Sequence, residues 1–535
     1  MSLILIFAVL FSTVSCSFLG VRIFSLEFTL TDEDYEYFER KAFALFEDAQ
    51  NESLYLKVVF DLNGFVDSYD FISTQTTVAY VNYCKDTKSE KAISDYKYAT
   101  AINYKARELY IETLQKIIEL DNSVSEALFA EWSEEEKAEI LSYDSGADAF
   151  LERNELILIE FDALAKKAEG WRDECDALYD EFFDNNRTIA ELVGYDNYYD
   201  YAAEKIHLRD YSSEERVAFR EYVKTYIAPL YKDIKAKRLE VFESASEELK
   251  NGYNAIVCCN YDENEWETDY IIDYTGEYDG ALYAYLINMY YSEGMVIGDG
   301  ENAMDTAFTT ILRYYSEPLA YFGNGYRDML TVVHENGHYA AMWQSGIFSQ
   351  SLDVHEIHSQ GNEWMFVEYL EGKIDSEIYE MLWLDRLTRG LGNIVFSCAV
   401  DEMEEMIYRG EKETISDAAR AVAERYEGVF KTPDTIGDYF RNVAMKSPVY
   451  YISYATSELV SVGLYTVANE DFDRAKEIYS SLVLDTDSFS GLLGAVDYCG
   501  LPNPFSEETF EYIKDTIELE DEEPTENQPE LDAAA

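Results

Sequence analysis

The chain has 535 residues, of which 42 are Lys or Arg and 106 are Asp or Glu, so its formal net charge is −64. This charge repels nucleic acid and anionic membrane surfaces, and we exclude both as partners. Only 8 residues are proline, and long stretches are rich in Glu, Ala, Leu and Tyr. The composition therefore predicts a mainly helical protein with a highly solvated surface, and we expect a monomer.

The first 21 residues carry no charged side chain, and an apolar run from Leu3 to Phe11 is followed by small residues up to Cys16. This order is typical of a secretory signal peptide, although Lys and Arg are missing from its start. Cys16 after Val14-Ser15 also resembles a bacterial lipoprotein cleavage site, and about twenty apolar residues would suffice for an uncleaved anchor. We predict an exported bacterial protein, secreted or held at the cell surface, that touches the membrane only through this segment.

Residues 22–185 are predicted to form an N-terminal helical region. Helical patterns run from Asp32 to Gln50, from Ser89 to Leu120 and from Ser133 to Glu139, with short polar breaks between them. The exception is Leu54 to Val66, where aromatic and β-branched residues favour a strand.

Residues 186–515 are predicted to form a second, larger unit. An apolar, glycine-bounded stretch from Leu319 to Gly325 predicts an edge strand. The segment from Ile378 to Tyr408 predicts one long helix, or a pair broken at Gly390-Leu391-Gly392. The acidic end, residues 516–535, contains Pro524 and Pro529 and is predicted to be disordered.

Four of the five histidines fall within twenty-five positions, and two of them frame His334-Glu335-Asn336-Gly337-His338, an HExxH motif. Apolar residues at helical spacing surround the motif, and Gly346 is predicted to end its helix. Residues four apart lie on one face of a helix, so both imidazoles can reach one metal ion, with Glu335 beside the open coordination position. Zinc suits two nitrogens, one carboxylate and a water molecule.

A third protein ligand is therefore expected on a neighbouring helix. Glu356 and Glu363 are seven residues apart and share a helix face two turns along. One of them can bind the metal while the other forms a hydrogen bond with a ligand histidine.

Together these motifs resemble the thimet oligopeptidase and oligoendopeptidase F family of zinc metallopeptidases. The resemblance extends over residues 186 to 515 and rests on several blocks in order. The blocks are Leu192-Val193-Gly194-Tyr195, the HExGH form of the metal motif, Glu356-Ile357-His358-Ser359 with Glu363, Cys398 to Glu402 with Ile407-Tyr408, and Pro448 to Ala455.

The resemblance implies a mainly α, bowl-shaped fold with a deep substrate channel and a small edge sheet near the active site. It implies an endopeptidase that hydrolyses internal bonds of short peptides with one Zn²⁺ per chain. The implied roles are metal binding by His334, His338 and Glu356, general-base catalysis by Glu335, support of a ligand histidine by Glu363, and hydrogen bonds to substrate from Tyr450 and Tyr454.

One departure concerns a histidine that many relatives carry shortly before the tyrosine block. Residues Arg441 to Ser447 contain none, so Arg441 or a tyrosine is considered as its replacement. His358 is expected to be structural. Two alternative functions stay open: a catalytically weak peptide-binding protein on the same fold, and a dipeptidyl carboxypeptidase.

Overall fold

The computed structural model describes residues 26–130, 132–164, 171–257, 269–291, 294–326, 328–345 and 350–517. The predicted export signal, Gly346 and residues from 518 onward lie outside these ranges. Within them, no helix has both the length and the apolar character needed to cross a membrane.

The N-terminal part consists of helices packed around a shared aromatic and aliphatic core. The rings of Phe38 and Phe65 stack at 4.9 Å between centroids, and Phe65 stacks in turn on Tyr110 at 5.0 Å. The helices are α1 (Asp32–Ala49), α2 (Tyr55–Lys85), α3 (Glu90–Ile118), α4 (Ser123–Leu128), α5 (Glu134–Ser142), α6 (Gly146–Leu164) and α7 (Trp171–Leu192). Helix α7 is continuous through residue 186, where the family-like motifs begin.

The strand predicted over Leu54 to Val66 is wrong, because this segment forms the first three turns of α2. Val58, Leu62 and Phe65 are buried at helical spacing. This stripe packs between α1 and α3. The tertiary packing of one helix face therefore outweighs the local strand preference of the β-branched and aromatic residues.

A second run of helices connects this part to a small sheet. Two of these helices, α8 and α9, continue directly into single π-helical turns at Ala202–Ile206 and Val223–Ile227. The run consists of α8 (Tyr198–Tyr201), α9 (Ser213–Tyr222), α10 (Ala228–Ser244), α11 (Glu247–Val257), α12 (Asp269–Thr275) and α13 (Gly280–Tyr291).

The sheet has three strands, β1 (Met295–Ile297), β2 (Ala307–Leu312) and β3 (Glu317–Phe322), in the order β1-β3-β2. Strand β3 runs parallel to β1 and antiparallel to β2, so Ala320 lies opposite Met295 on one side and Thr309 on the other. The edge strand predicted at Leu319 to Gly325 is therefore a central strand, because its apolar residues are buried and its backbone pairs on both sides. The edge strand beside the HExxH helix is β2.

The remaining helices carry most of the motif residues. Helix α15 is almost entirely buried against α14 and α19, and α16 is one continuous helix, which excludes the broken pair. The helices are α14 (Met329–Ser345), α15 (Leu352–Tyr369), α16 (Ser376–Tyr408), α17 (Ile415–Arg425), α18 (Pro433–Val443), α19 (Ile452–Glu470), α20 (Phe472–Leu484), α21 (Leu492–Cys499) and α22 (Glu507–Ile517). The mainly α fold with a small sheet is confirmed.

Helices α14 and α15 touch backbone to backbone at Gly337, inside the HExxH motif. A Cβ at this position would lie 2.2 Å from the carbonyl oxygen of His358, too close for the two helices to keep their spacing. We predict that Gly337→Ala lowers the free energy of unfolding by about 1–3 kcal/mol or more. Thermal and denaturant unfolding measure this loss.

Gly494→Ala is the matched control for this prediction. Its Cβ would meet only an ordinary contact, 3.4 Å from Phe489 Cβ, within helix α21. This variant should be neutral or more stable by about 0.5–1 kcal/mol, because alanine favours helix. Equal stability of both variants would contradict the close approach of α14 and α15.

Candidate active site

The two histidines of the HExxH motif converge with Glu356 across the contact between α14 and α15. The Nε2 atoms of His334 and His338 lie 3.7 Å and 3.8 Å from Glu356 Oε2. One donor atom from each of these residues lies within 4.8 Å of the other two. Among the His, Cys, Asp and Glu side chains of the described residues, these three are close enough together to share one metal ion.

This donor set fits zinc. Bonds of about 2.1 Å in tetrahedral geometry place ligand atoms roughly 3.4 Å apart, close to the separations from Glu356 to each histidine. The local charge also suits a cation. Burial alone would lower the pKa of His334, but its hydrogen bond to Glu363 and the surrounding carboxylates raise that pKa to about 9. The carboxylates that raise the pKa of His334 also attract a divalent cation. Burial, together with the neighbouring histidines, lowers the pKa of His338 well below its usual value, and neutral imidazole is the form that binds a metal ion.

Glu363 lies behind His334. Its Oε1 atom is 2.7 Å from His334 Nδ1, which leaves Nε2 directed towards Glu356. Arg386 approaches the other oxygen of Glu363 at 3.0 Å, and its guanidinium also binds Glu458 at 2.8 Å and 3.1 Å. Of the two candidate carboxylates, Glu356 thus lies near the Nε2 atoms of both motif histidines, and Glu363 lies at the Nδ1 side of the His334 ring.

Glu335 is almost fully buried, at 4% exposure, yet its carboxylate lines the same cavity as both motif histidines. Thr309 on the edge strand β2 donates a hydrogen bond of 2.6 Å to Glu335 Oε2. Burial raises the pKa of Glu335 to about 7, against the opposing effects of His334 and of the Thr309 hydrogen bond. A carboxylate with such a pKa can both accept and release a proton near neutrality.

The two predicted tyrosines stand side by side on the opposite wall, with ring centroids 5.0 Å apart. The Tyr450 hydroxyl donates a short hydrogen bond to Glu356. Tyr454 lines the cavity, and burial, together with the negative charge of Glu356, holds its pKa well above the usual value. Tyr454 therefore keeps its hydroxyl proton, and its hydroxyl also interacts with that of Tyr450, which is bound to Glu356.

The turn before α19 sets the position of these tyrosines. Val449 is buried and adopts a left-handed backbone conformation with φ of 59°, which a β-branched residue rarely occupies. Glu404 accepts a 2.7 Å hydrogen bond from the Val449 amide, and Arg209 donates one of 2.6 Å to its carbonyl. His207 is buried, with Nε2 3.0 Å from the carbonyl oxygen of Pro448. Glu404, Arg209 and His207 thus stabilise the conformation of the turn, and none of the three lines the cavity.

The cavity that holds these groups has a volume of about 360 Å³. Arg441, considered as the replacement for a missing histidine, forms hydrogen bonds of 2.6 Å and 2.9 Å with Asp176 and does not line it. Lys446 lines the cavity instead, with Nζ 3.8 Å from Asp162 Oδ1. The sequence analysis did not single out Lys446, and only its position shortly before the tyrosine block could have indicated that it lines the cavity.

The remaining histidines of the cluster differ in their surroundings. His358 is fully buried, and its Nε2 lies 3.0 Å from the carbonyl oxygen of Leu482, consistent with a structural residue. His355 is buried beside it, with ring centroids 5.8 Å apart, and also lines the cavity.

Comparison with known proteins finds matches in the fold and none in the sequence. No family model matches the sequence, and neither does any curated protein. The fold matches solved structures over nearly their full length. A protein assigned as oligoendopeptidase F from Bacillus anthracis str. Ames aligns with a TM-score of 0.70 at 16% identity over 93% of this chain and 98% of its own. PZ peptidase A, solved with an inhibitor, aligns with a TM-score of 0.70 at 17% identity over 92% of this chain and 98% of its own.

A third structure, oligoendopeptidase-F from Enterococcus faecium, aligns with a TM-score of 0.54 at 13% identity over 91% of this chain and 96% of its own. The chain thus has the oligoendopeptidase F fold. This likeness supports the family resemblance that the ordered sequence motifs indicate.

Proposed function

We propose that this chain is a zinc-dependent oligoendopeptidase of the oligoendopeptidase F family, which hydrolyses internal bonds of short peptides. The observation that carries the proposal is the convergence of His334, His338 and Glu356 with the carboxylate of Glu335 in one cavity. A fold shared with oligoendopeptidase F structures supports it.

In this mechanism His334, His338 and Glu356 hold the metal, and Glu363 keeps the His334 ring oriented through Nδ1. Bound zinc would supply Lewis acidity that polarises the scissile carbonyl and makes water more acidic. Glu335 accepts a proton from the attacking water and passes it to the leaving amine. Tyr454 donates a hydrogen bond to the carbonyl oxygen as negative charge develops there.

The edge strand β2 supports an extended peptide as substrate. Among the described residues, β2 pairs with a strand on one side only, so a further strand could pair with its other side. Thr309 on β2 also contacts Glu335. A peptide paired with β2 would thus pass beside the general base. We infer that an extended chain fits this arrangement. A folded protein does not fit, because the backbone groups of the folded protein are already paired with each other.

The experiment that tests the function is mass spectrometry of a mixed peptide library incubated with the protein, with and without a chelator. We expect internal cleavage of short peptides that stops on chelation and returns when zinc is added. A stable folded protein that displays one of the cleaved ten-residue sequences in a helix should stay intact. Comparable cleavage of peptide and folded protein would contradict the proposed substrate class.

The same experiment distinguishes the two alternatives. A dipeptidyl carboxypeptidase would release only dipeptides from free C-termini and leave peptides with a blocked C-terminus uncut. A peptide-binding protein without activity would retain library peptides and cleave none of them.

Tyr454→Phe should lower kcat by more than it raises KM. Tyr454 lines the cavity, and its hydroxyl is expected to bind the carbonyl oxygen most strongly in the transition state. Loss of one such donor typically costs on the order of a hundredfold in rate. Steady-state kinetics on one library peptide measure both constants. An effect on KM alone would make Tyr454 an ordinary substrate contact, and Tyr512→Phe, on the exposed face of α22, controls for general effects.

A further inference from the structure

A second cavity of about 600 Å³ adjoins the catalytic one. His334 and Tyr454 line both cavities, so the two meet at the candidate metal centre. A peptide whose scissile bond lies at the centre therefore extends one of its ends into this space. Side chains from α10, α14, α15, α16, α18 and α19 form its walls.

Several arginines line the second cavity, although the chain has 106 acidic residues and only 42 Lys and Arg. Three guanidinium groups line it, from Arg238, Arg386 and Arg389. Arg386 is buried between two carboxylates that line the same cavity, Glu363 at 3.0 Å and Glu458 at 2.8 Å. Arg386 thus belongs to the support of the metal centre.

Arg238 and Arg389 share a single buried carboxylate. Arg238 Nε lies 2.7 Å from Asp385 Oδ1, and Arg389 Nη2 lies 2.8 Å from Asp385 Oδ2. The next carboxylate near Arg389, Asp328, is 3.7 Å away. Asp385 is therefore shared by both arginines, and Asp328 forms a second, longer ion pair with Arg389.

The exposure of these groups decides which charge a ligand meets. The side chain of Asp385 is 4% exposed, whereas those of Arg238 and Arg389 are 29% and 49% exposed. The carboxylate is thus buried more deeply than the two guanidinium groups, and both arginines line the cavity. Each guanidinium carries five N–H donors, more than Asp385 accepts.

We propose that Arg238 and Arg389 form a subsite that binds a carboxylate group of the peptide substrate. The planar guanidinium matches a carboxylate in geometry and charge, and Asp385 holds both arginines in place before the peptide arrives. Their partly exposed guanidinium groups can bind such a carboxylate even though the chain as a whole is acidic. The carboxylate is either the C-terminus or an acidic side chain. This inference rests on the proposed peptidase function.

Matched peptides test the subsite and distinguish the two sources. One neutral peptide is prepared both as the free acid and as the C-terminal amide. Two further pairs of amidated peptides have Glu in one member and Gln in the other, on the N-terminal side of the cleaved bond in one pair and on the C-terminal side in the other. In one of these pairs we expect kcat/KM to be about tenfold higher for the member that carries the carboxylate. A tenfold ratio corresponds to the free energy that one charge-assisted hydrogen bond contributes. Arg389→Gln should bring that ratio close to one, and Arg389→Lys should restore part of it.

Arg420→Gln is the matched control, because Arg420 is an exposed arginine on α17 that pairs with Asp417 on the same helix. It should leave the ratio unchanged. Ratios near one in the wild-type protein, or an unchanged ratio in Arg389→Gln, would overturn the subsite while hydrolysis itself upholds the proposed function. If no peptide is cleaved, the proposed function fails. Calorimetric titration with the same pairs then decides whether Arg389 still distinguishes acid from amide in binding.

Discussion

Glu335→Gln should retain the metal and lose nearly all peptide hydrolysis. Glutamine preserves the size of the side chain and can still accept the Thr309 hydrogen bond, which is 2.6 Å long in the structure. It cannot accept a proton from water. Removal of a general base typically lowers the rate on the order of a hundredfold or more. Elemental analysis of the variant and kcat measured on a cleaved library peptide test both parts of the prediction.

Glu368→Gln is a suitable control for this substitution. Glu368 is a buried glutamate on the neighbouring helix α15, and it lines neither the catalytic cavity nor the arginine-lined one. Its replacement should leave kcat within about twofold, as expected for a polar change away from the chemistry. Near-normal turnover by a metal-loaded Glu335→Gln protein would remove Glu335 from the mechanism.

Glu356→Ala should abolish stable metal binding. The substitution removes the carboxylate that lies 3.7 Å and 3.8 Å from the two histidine nitrogens, and it also deprives Tyr450 of its hydrogen-bond acceptor. Loss of a supporting residue costs about ten- to a hundredfold in metal affinity, and loss of a direct ligand should cost more. Competition with a chromogenic zinc chelator measures the dissociation constant.

Glu363→Ala provides the comparison for that experiment. Glu363 supports His334 through Nδ1 and is expected to matter less for affinity than Glu356. Zinc should also raise the melting temperature of the wild-type protein and not that of Glu356→Ala, since only a folded state that binds the ion is stabilised. Full zinc content in Glu356→Ala, with loss in Glu363→Ala, would exchange the roles of the two carboxylates.

The sequence by itself determined the parts of the site that depend on helix periodicity. Spacing of four placed His334 and His338 on one face of α14, and spacing of seven placed Glu356 and Glu363 on one face of α15. The low proline content and the stretches rich in Glu, Ala, Leu and Tyr likewise predicted the mainly α fold. These features are local, because the dihedral angles of one helix set them and no distant contact is needed.

Only the tertiary structure decided which side chains meet from different elements. The packing of α14 on α15 at Gly337 placed Glu356 with the histidine nitrogens and Glu363 behind the ring. Sheet order made β3 central and brought Thr309 of β2 to Glu335. The burial of one face turned Leu54 to Val66 into helix. These outcomes depend on contacts between residues far apart in the chain, whose energies are absent from any local pattern.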